Sequence, residues 1–572
     1  MRMGIGLGIG INRSNYAQGI FSAYQSRVTA DGGVTEAGAC VDAVSGLLQS
    51  ASLLLIPSGY KSGKAYAEIP TNGNGDLTWT RASDAWRTNA DGLIQRVPWN
   101  LLTYSNTFSN AAWVKYGVGT GTAASVTSGF TDPNGGSNAW RLQCNLNGGT
   151  TTSDRSYIYQ SGISGTPFSA AKSIWIKNNT ANAVTIFVGV NGSLDSVTIA
   201  ANADWQRIKI EGGTINNEFR IGTMGGASLS NTVDILIYGA QLVEGSSAQT
   251  YLPTTDRLNV PRLSYMYGSC PALLLEPQRT NLCLWSQNFD DANWGKTTAS
   301  VTANQATAPD GTNTMDLLVF SATAGRLTQG VATTNGATYT FSVWLATQSG
   351  TQTVEIGNIN LGVWQTVTVT TTPTRFSVTQ VASSTSRFPG IQSTGAYSIL
   401  AWGGQCELGA YPTTYIPTTT ASATRIADSF SRSNIYTNGL ITSSGGTWFV
   451  ELITPHKFRD STNLLRIGDS NNGINVNGGT ATYGFVISKA VGGTASNILF
   501  STLTTTAKIA IKWNGTSADV FVNGTKQVSA TSFTPTIMED LTGTGGSQFF
   551  IQAMGLHPTP LTDAQCIELT TL

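Results

Sequence analysis

Apolar and polar residues alternate along many short stretches of this chain. Ser173–Lys177 (SIWIK), Trp205–Ile210 (WQRIKI), Thr340–Leu345 (TFSVWL), Val367–Val369 and Lys508–Trp513 (KIAIKW) all follow a two-residue period. On a strand, that period sends one set of side chains into a core and the other into water. Clusters of Gly, Asn, Asp and Ser separate the stretches at intervals of roughly eight to twelve residues, which predicts antiparallel sandwiches. Asn514-Gly515 and Asn523-Gly524 are expected to close tight hairpins, since both residue types tolerate positive φ. Helical periodicity is rare. Val34, Ala37, Val41, Val44 and Leu48 recur at three- and four-residue steps, predicting a helix over 34–50 with Thr35 as cap and Glu36 in its first turn. The apolar run Ser52–Ile56 (SLLLI), closed by Pro57, is expected as a buried strand or as that helix's packing partner. A last short helix, capped by Thr562, is expected in LTDAQCIELTTL.

The chain also repeats itself. NLLTYSNTFSNAAWVK at 100–115 aligns without gaps with NLCLWSQNFDDANWGK at 281–296. YGAQLVEGSSAQTYLPTT at 238–255 aligns with WGGQCELGAYPTTYIPTT at 402–419. Head and tail recur in the same order, so two copies of one sandwich module are predicted. Inside them, Trp175 matches Trp344, and DWQRIKI matches TPTRFSV at 372–378, where Trp205 has no aromatic counterpart.

Charge narrows the function classes. Asp, Glu, Lys and Arg make up 11% of the residues, against about 25% in ordinary globular chains. Hydroxyls and amides must therefore wet the strand faces. Lys+Arg and Asp+Glu number 32 each, leaving no basic surplus for nucleic acid. No segment nears 18 apolar residues, so membrane insertion is not expected. The opening MRMGIGLGIGINRS lacks a small-x-small cleavage site and is read as a mature arm without a signal peptide. Cys40, Cys144, Cys270, Cys283, Cys406 and Cys566 are widely spaced. They are expected as reduced, buried small hydrophobes, with a disulfide such as Cys270–Cys283 as the alternative.

Candidates for chemistry are few. His456 and His557 are the two histidines, and neither has a Cys or Asp cluster nearby. Glycosidase chemistry needs two facing carboxylates. Asp290, Asp291, Glu355, Glu451 and Asp460 are candidates, but nothing pairs them, and they are expected as turn or surface acids. GIGLGIG at 4–10 lacks the spacing of a phosphate loop and is read as an extended docking arm. Asp469–Asn472 (DSNN) offers oxygens for calcium, yet a surface turn is the expected reading. Trp113, Trp294, Trp175 and Trp344 recur at matching module positions and are expected to fill cores. Trp86 and Trp99 lie in polar connectors, either exposed or packed between modules. No catalytic, metal or cofactor site is expected, and no sugar-binding residue is assigned.

The repeated unit, with its aromatic opening (Phe108, Trp113), central FSVWL strand and late GAQLVEG strand, resembles the family-4/9 type of carbohydrate-binding β-sandwich. Gly445–Leu572 resembles a concanavalin-like, laminin-G-type sandwich through WFVELITP and KIAIKWNGTSADVFVNGTKQ. Three further phrases resemble fibre and head-decoration proteins of tailed phages of gut Bacteroides-type hosts, including the crAss-like group. They are SRVTADGGVTEAGACVDAVSGLL at 26–48, WTRASDAWRTNADGLIQRVPWNLL at 79–102 and GSCPALLLEPQRTNLCLWSQ at 268–287. The expected fold is all-β, with tandem jelly-roll-like sandwiches, a short N-terminal helical docking segment and a C-terminal concanavalin-like sandwich. The expected divisions are an attachment arm and helix at 1–60, a connector at 61–99, module 1 at 100–256, a connector at 257–280, module 2 at 281–428, a linker at 429–444 and the outer sandwich at 445–572. The resemblance implies a non-enzymatic head- or tail-fibre subunit of a virion. It would be homotrimeric, bound to other virion proteins through its N-terminal segment, and in touch with host surface glycan. A lectin without a virion role and a tail-borne polysaccharide depolymerase remain as alternatives.

Overall fold

The computed structural model describes residues 15–36, 46–163, 168–190, 193–212, 214–215, 218–226, 228–245, 247–358, 363–442, 445–456, 463–478, 485–501 and 506–571. Antiparallel sheets dominate, and they assemble into three two-sheet bodies, so the fold is all-β as expected. SIWIK, WQRIKI, TFSVWL, Val367–Val369 and KIAIKW all contribute strands. In the last of these, Ile509, Ile511 and Trp513 are buried at 2% exposure or less, which is the alternation at work.

Modules 1 and 2 are the same sandwich built twice. In module 1, one sheet runs in the order Gln206–Ile210, Phe168–Lys177, Thr232–Glu244, Ala139–Asn145, Thr122–Phe130. Module 2 repeats that order with Thr374–Val381, Thr338–Ala346, Tyr397–Leu408, Met315–Phe320, Ala299–Ala306. The facing sheets match as well, and each module encloses its own core. Shared letters make shared bonds. Asn100 Nδ2 donates to the carbonyls of Ala240 and Leu252, and Asn281 Nδ2 to those of Gly404 and Ile416. Trp113 and Trp294 are buried at 1% exposure, and each indole N–H donates to a backbone carbonyl in its module's opening segment. Those two tryptophans fill cores as predicted.

The third body differs from the expectation. Its two sheets do not lie within 445–572. One is ten-stranded and begins with Val34–Thr35, Gly59–Lys61, Lys64–Ala65, Leu77–Thr80 and Ser429–Arg432 before it reaches strands of the C-terminal segment. In the other, Phe549–His557 pairs with Leu53–Leu55, Ala272–Leu275 and Gly446–Ile453. The stretches expected as arm, connectors and linker thus supply strands to a base sandwich that closes only with the C-terminal strands. The reason is hydrophobic: Leu53, Leu55, Leu273 and Leu275 are each at 0% exposure and pack in one cluster with Leu452 and Ile551. SLLLI is therefore a buried strand.

The helix predicted over 34–50 is corrected. Val34 and Thr35 pair as strand with Tyr60 and Gly59, and among the described residues of the stretch Gly46–Gln49 is helical. Ala37, Val41, Val44 and Cys40 lie outside the described residues. The longer N-terminal helix is Asn15–Ala30, which buries Tyr24 and Val28 beside Tyr66. At the other end, Asp563–Thr570 is helical and Thr562 forms a capping box with Gln565, as predicted. Asn523 and Gly524 take φ of 48° and 76° and form the two-residue turn between Ser517–Val522 and Thr525–Ser532.

A buried ion network ties the connectors together. Arg81 meets Asp428 at 2.9 Å, Arg262 meets Glu276 at 2.6 Å and also Asp428, and Arg425 meets Glu276 at 2.9 Å. All five side chains are at 1% exposure or less. Burial alone would raise the Glu276 carboxyl, but the Arg425 and Arg262 guanidiniums hold it down at about 2. The cysteines follow the first expectation at four positions and depart from it at Cys270. Cys270 is disulfide-bonded, whereas Cys144, Cys283, Cys406 and Cys566 are free and buried. The Cys270–Cys283 pairing does not form.

Candidate functional site

On Phe168–Lys177, Ile174 and Ile176 are fully buried, so the alternation turns Trp175 outward. Trp175 stands opposite Arg207 on one neighbouring strand and Tyr238 on the other. A bulge in the pairing between Ser173 and Trp175 lies beside Gly239, whose φ is +62°. A Cβ at Gly239 would sit 3.1 Å from both the Trp175 and Tyr251 rings. Glycine therefore permits both the backbone turn and the close approach of the two rings. Tyr251 folds back from the YLPTT tail and meets Trp175 edge-on at 5.4 Å, with Tyr238 at 5.8 Å.

Three rings so placed make an aromatic platform with a charged rim. The Arg207 guanidinium lies 4.5 Å over the Trp175 ring, a cation–π distance. It is held there by donation from Nη2 to Ser173 Oγ at 2.9 Å and to the Gln249 carbonyl at 2.7 Å. Tyr251 shares a 3.0 Å hydrogen bond with Ser105 Oγ, and Asn134 Nδ2 donates to the Tyr238 hydroxyl at 3.4 Å. Burial pushes Tyr238 up to about 12 and Tyr251 further, so both stay neutral hydroxyls at ordinary pH. Burial lowers the Arg207 value, but a guanidinium keeps its charge. Trp175 and Tyr251 are half-buried and line a cleft of about 290 Å³, whose opposite wall includes Gly32–Thr35. Among the described residues lining this cleft there is no carboxylate, thiol or imidazole. Such a site can stack and hydrogen-bond a ligand.

Module 2 carries the same set of groups. Trp344 stands opposite Arg375 and Trp402, and Tyr415 returns from the YIPTT tail. Arg375 lies 4.3 Å over Trp344 and donates to Ser342 Oγ at 2.9 Å; Tyr415 bonds Ser286 Oγ at 2.6 Å; Gly403 has φ +68°. This copy is closed. Trp86, from the hairpin of Ala85–Thr88 and Ile94–Val97, packs edge-on against Tyr415 at 5.8 Å and joins one cluster with Trp344 and Trp402. Trp402 and Tyr415 fall to 0% and 1% exposure.

The other sequence candidates are dispersed. Asp290 and Asp291 sit in a turn, where Asp291 accepts the backbone N–H of Asn293 at 2.8 Å. Glu355 accepts from Gln392, Glu451 lies 3.8 Å from Lys508, and Asp460 and GIGLGIG lie outside the described residues. The DSNN segment is a turn, with Asp469 Oδ1 accepting from the backbone of Asn471 and Asn472. His456 stacks on Tyr411 at 4.6 Å, and His557 is buried in the base; burial lowers the pKa of both. Trp86 and Trp99 are buried at 7% and 5% exposure and pack between bodies. Trp175 is no core residue but a platform wall, and Trp205 lies half-exposed outside the cleft lining. Arg207, Arg375, Tyr251 and Tyr415 escaped the sequence reading, although each pair falls at matching positions of the repeat. A wider depression of about 410 Å³ beside Arg279 has no platform, since its one ring, Tyr339, is occupied at its hydroxyl by the Thr334 N–H.

No family model matches the chain, and no curated protein matches it. Among solved structures, domain 4 of AbnA, a GH43 extracellular arabinanase from Geobacillus stearothermophilus, aligns at 14% identity. The alignment covers 28% of this chain and 84% of that one, with a TM-score of 0.21. A CBM4 structure aligns at 15% identity over 24% of this chain and 87% of its own, with a TM-score of 0.15. A Trypanosoma rangeli sialidase mutant displaying trans-sialidase activity covers 80% of this chain and 94% of its own at 7% identity, with a TM-score of 0.21. Likenesses at these scores carry no argument about function.

Proposed function

We propose that this chain is a non-catalytic glycan-binding subunit of a tailed-phage virion appendage, with module 1 holding the sugar. The observation that carries the binding part is the half-buried Trp175–Tyr251 pair, backed by Tyr238 and with Arg207 over Trp175, which lines a cleft in module 1 and whose counterpart is sealed in module 2. Sugar rings present C–H faces that stack on aromatic rings and hydroxyls that pair with Arg and Asn donors, which is the mixture this cleft supplies. The phrase-level resemblance supplies the virion setting. The attachment role expected for residues 1–60 then belongs to the part ahead of Val34, because the strands after it are built into the base.

A glycan array probed with the full chain tests the binding part. Trp175→Ala should weaken any hit at least about tenfold, or ~1.4 kcal/mol. Absence of binding over host capsule and neutral glycan panels counts against it, and reducing-sugar release by the chain would favour the depolymerase instead. Immunogold microscopy with antibody to residues 445–572 tests the setting: label on heads or tails supports it, and unlabelled particles sink it. A 60.2 kDa species in light scattering would exclude the homotrimer.

A further inference from the structure

Each module buries a cation near one end of its core, and the two are balanced differently. In module 1 the cation is Lys172, buried at 3% exposure, and its Nζ donates to Asp195 of the facing sheet at 3.0 Å. Module 2 has neither member of that pair. Lys172 stands opposite Leu242, and on the same rung of the repeat Phe341 stands opposite Cys406. In the other sheet, the rung that starts at Lys115 runs through Ile158, Ile221 and Val188 to Asp195. The matching rung starts at Lys296, runs through Leu327, Ile391 and Ile356, and ends at Gln365.

A different cation enters module 2 at this level. Arg387, from the short strand Ser386–Arg387, is buried at 3% exposure and lines a cavity of about 20 Å³. The walls are Phe341, Val378 and Cys406 from one sheet and Gly357 and Pro389 from the other. Arg387 Nη1 has no hydrogen-bond partner among the described residues, and Nη2 reaches the Val381 carbonyl at 3.5 Å, a weak bond. No carboxylate is among the described residues lining the cavity. No Asp or Glu occurs between Glu355 and Glu407 in the sequence, and those two are engaged elsewhere, Glu355 by Gln392 and Glu407 by Gln405 and Thr413. Burial pushes the Cys406 thiol up to about 12, so it supplies no negative charge. A guanidinium keeps its proton. A charge taken out of water needs a counter-charge or a full set of hydrogen bonds. The cavity has room for one particle of about a water's size, not for a phosphate or a carboxylate-bearing molecule.

We infer that this cavity binds a monatomic anion, chloride under ordinary salt, with Arg387 Nη1 as its charged donor. The bound ion does for Arg387 what Asp195 does for Lys172. Tyr339 and Gln380 line the same cavity and carry O–H and N–H groups of the kind an anion needs. The test is calorimetric melting of the full chain in sodium chloride, bromide or gluconate, with ionic strength matched so that screening is constant. One transition should rise by at least about 2 °C between 1 mM and 100 mM halide, because a ligand bound to the folded state stabilises it by mass action. Gluconate is too large for the cavity and should leave that transition where it is. Arg387→Met removes the charge at similar volume and should lose the halide response. Crystals grown in bromide should show anomalous scattering beside Arg387, a readout that stands even if the variant fails to fold. Equal melting in the three salts with no bromide at Arg387 overturns the inference and leaves the cavity to water. A halide response that survives in Arg387→Met overturns it too, since the anion then binds elsewhere.

Discussion

Asp428 accepts from Arg81 and Arg262 and also takes the backbone N–H of Glu276 at 3.0 Å. One carboxylate at the end of module 2 therefore holds two connector segments, 61–99 and 257–280, at a site with 0% exposure. Removing one partner of a buried pair leaves uncompensated charge and typically costs about 3–5 kcal/mol. Asp428→Ala should lower unfolding stability by that order in urea titration; a change under ~1 kcal/mol would mean the network is incidental. Glu68 is the opposite case. It is buried at 2% exposure, with a 3.3 Å bond from Ser58 among the described residues, and desolvation pushes its carboxyl up from 4.5 to about 8. A carboxyl raised by folding contributes stability fully present below 4.5 and lost as pH climbs through about 8. At neutral pH the loss is about 3 kcal/mol by linkage. Glu68→Gln should flatten this decline in urea melts run at about pH 5 and about pH 8, whereas parallel pH profiles for the two proteins would refute the assignment.

The Trp86 hairpin shows what a repeated element gains from its neighbours. Module 2 keeps the arrangement, with Trp402 in place of Tyr238, but Trp86 covers it. Trp86→Ala should cost about 3–5 kcal/mol in stability and turn one binding site per chain into two, counted by titration. An unchanged stoichiometry would mean the module 2 set is not a competent site. At the Asn523-Gly524 turn, a Cβ in left-handed backbone costs about 1–2 kcal/mol, so Gly524→Val should lower the melting point measurably. The repeat, its strands and this turn were legible because each depends on residues near in sequence. Arg207 with Arg375 and Tyr251 with Tyr415 were legible in principle, since they align letter for letter. The sealing of one copy was not, because Trp86 lies more than two hundred residues from Trp344. The start of the Val34–Ser50 stretch misled because its apolar spacing suits a helix, while Val34 is claimed by pairing with Tyr60.

At the scale of the molecule, the base sandwich was invisible in sequence. Its N-terminal strands are two to four residues long, too short to show a period, and two of them, Leu53–Leu55 and Leu77–Thr80, take partners hundreds of residues away. The consequence is testable by dissection. A fragment of 445–572 lacks the Leu53–Leu55 and Ala272–Leu275 strands that flank Phe549–His557, and it should be unfolded by circular dichroism. A fragment of 281–428 keeps its whole core and should melt cooperatively. If the first folds and the second does not, the body boundaries drawn above are wrong.

Pairing of Leu53–Leu55 with Met554–Leu556 also sets a timetable. A ribosome adding 5–20 residues per second needs roughly 25–100 s to cover the roughly 500 residues between them. Both modules can close during that interval, while the apolar strands made first have no sheet to enter. The foundation of this molecule sets last, so during synthesis its earliest segment needs shielding, and the modules must stand without it.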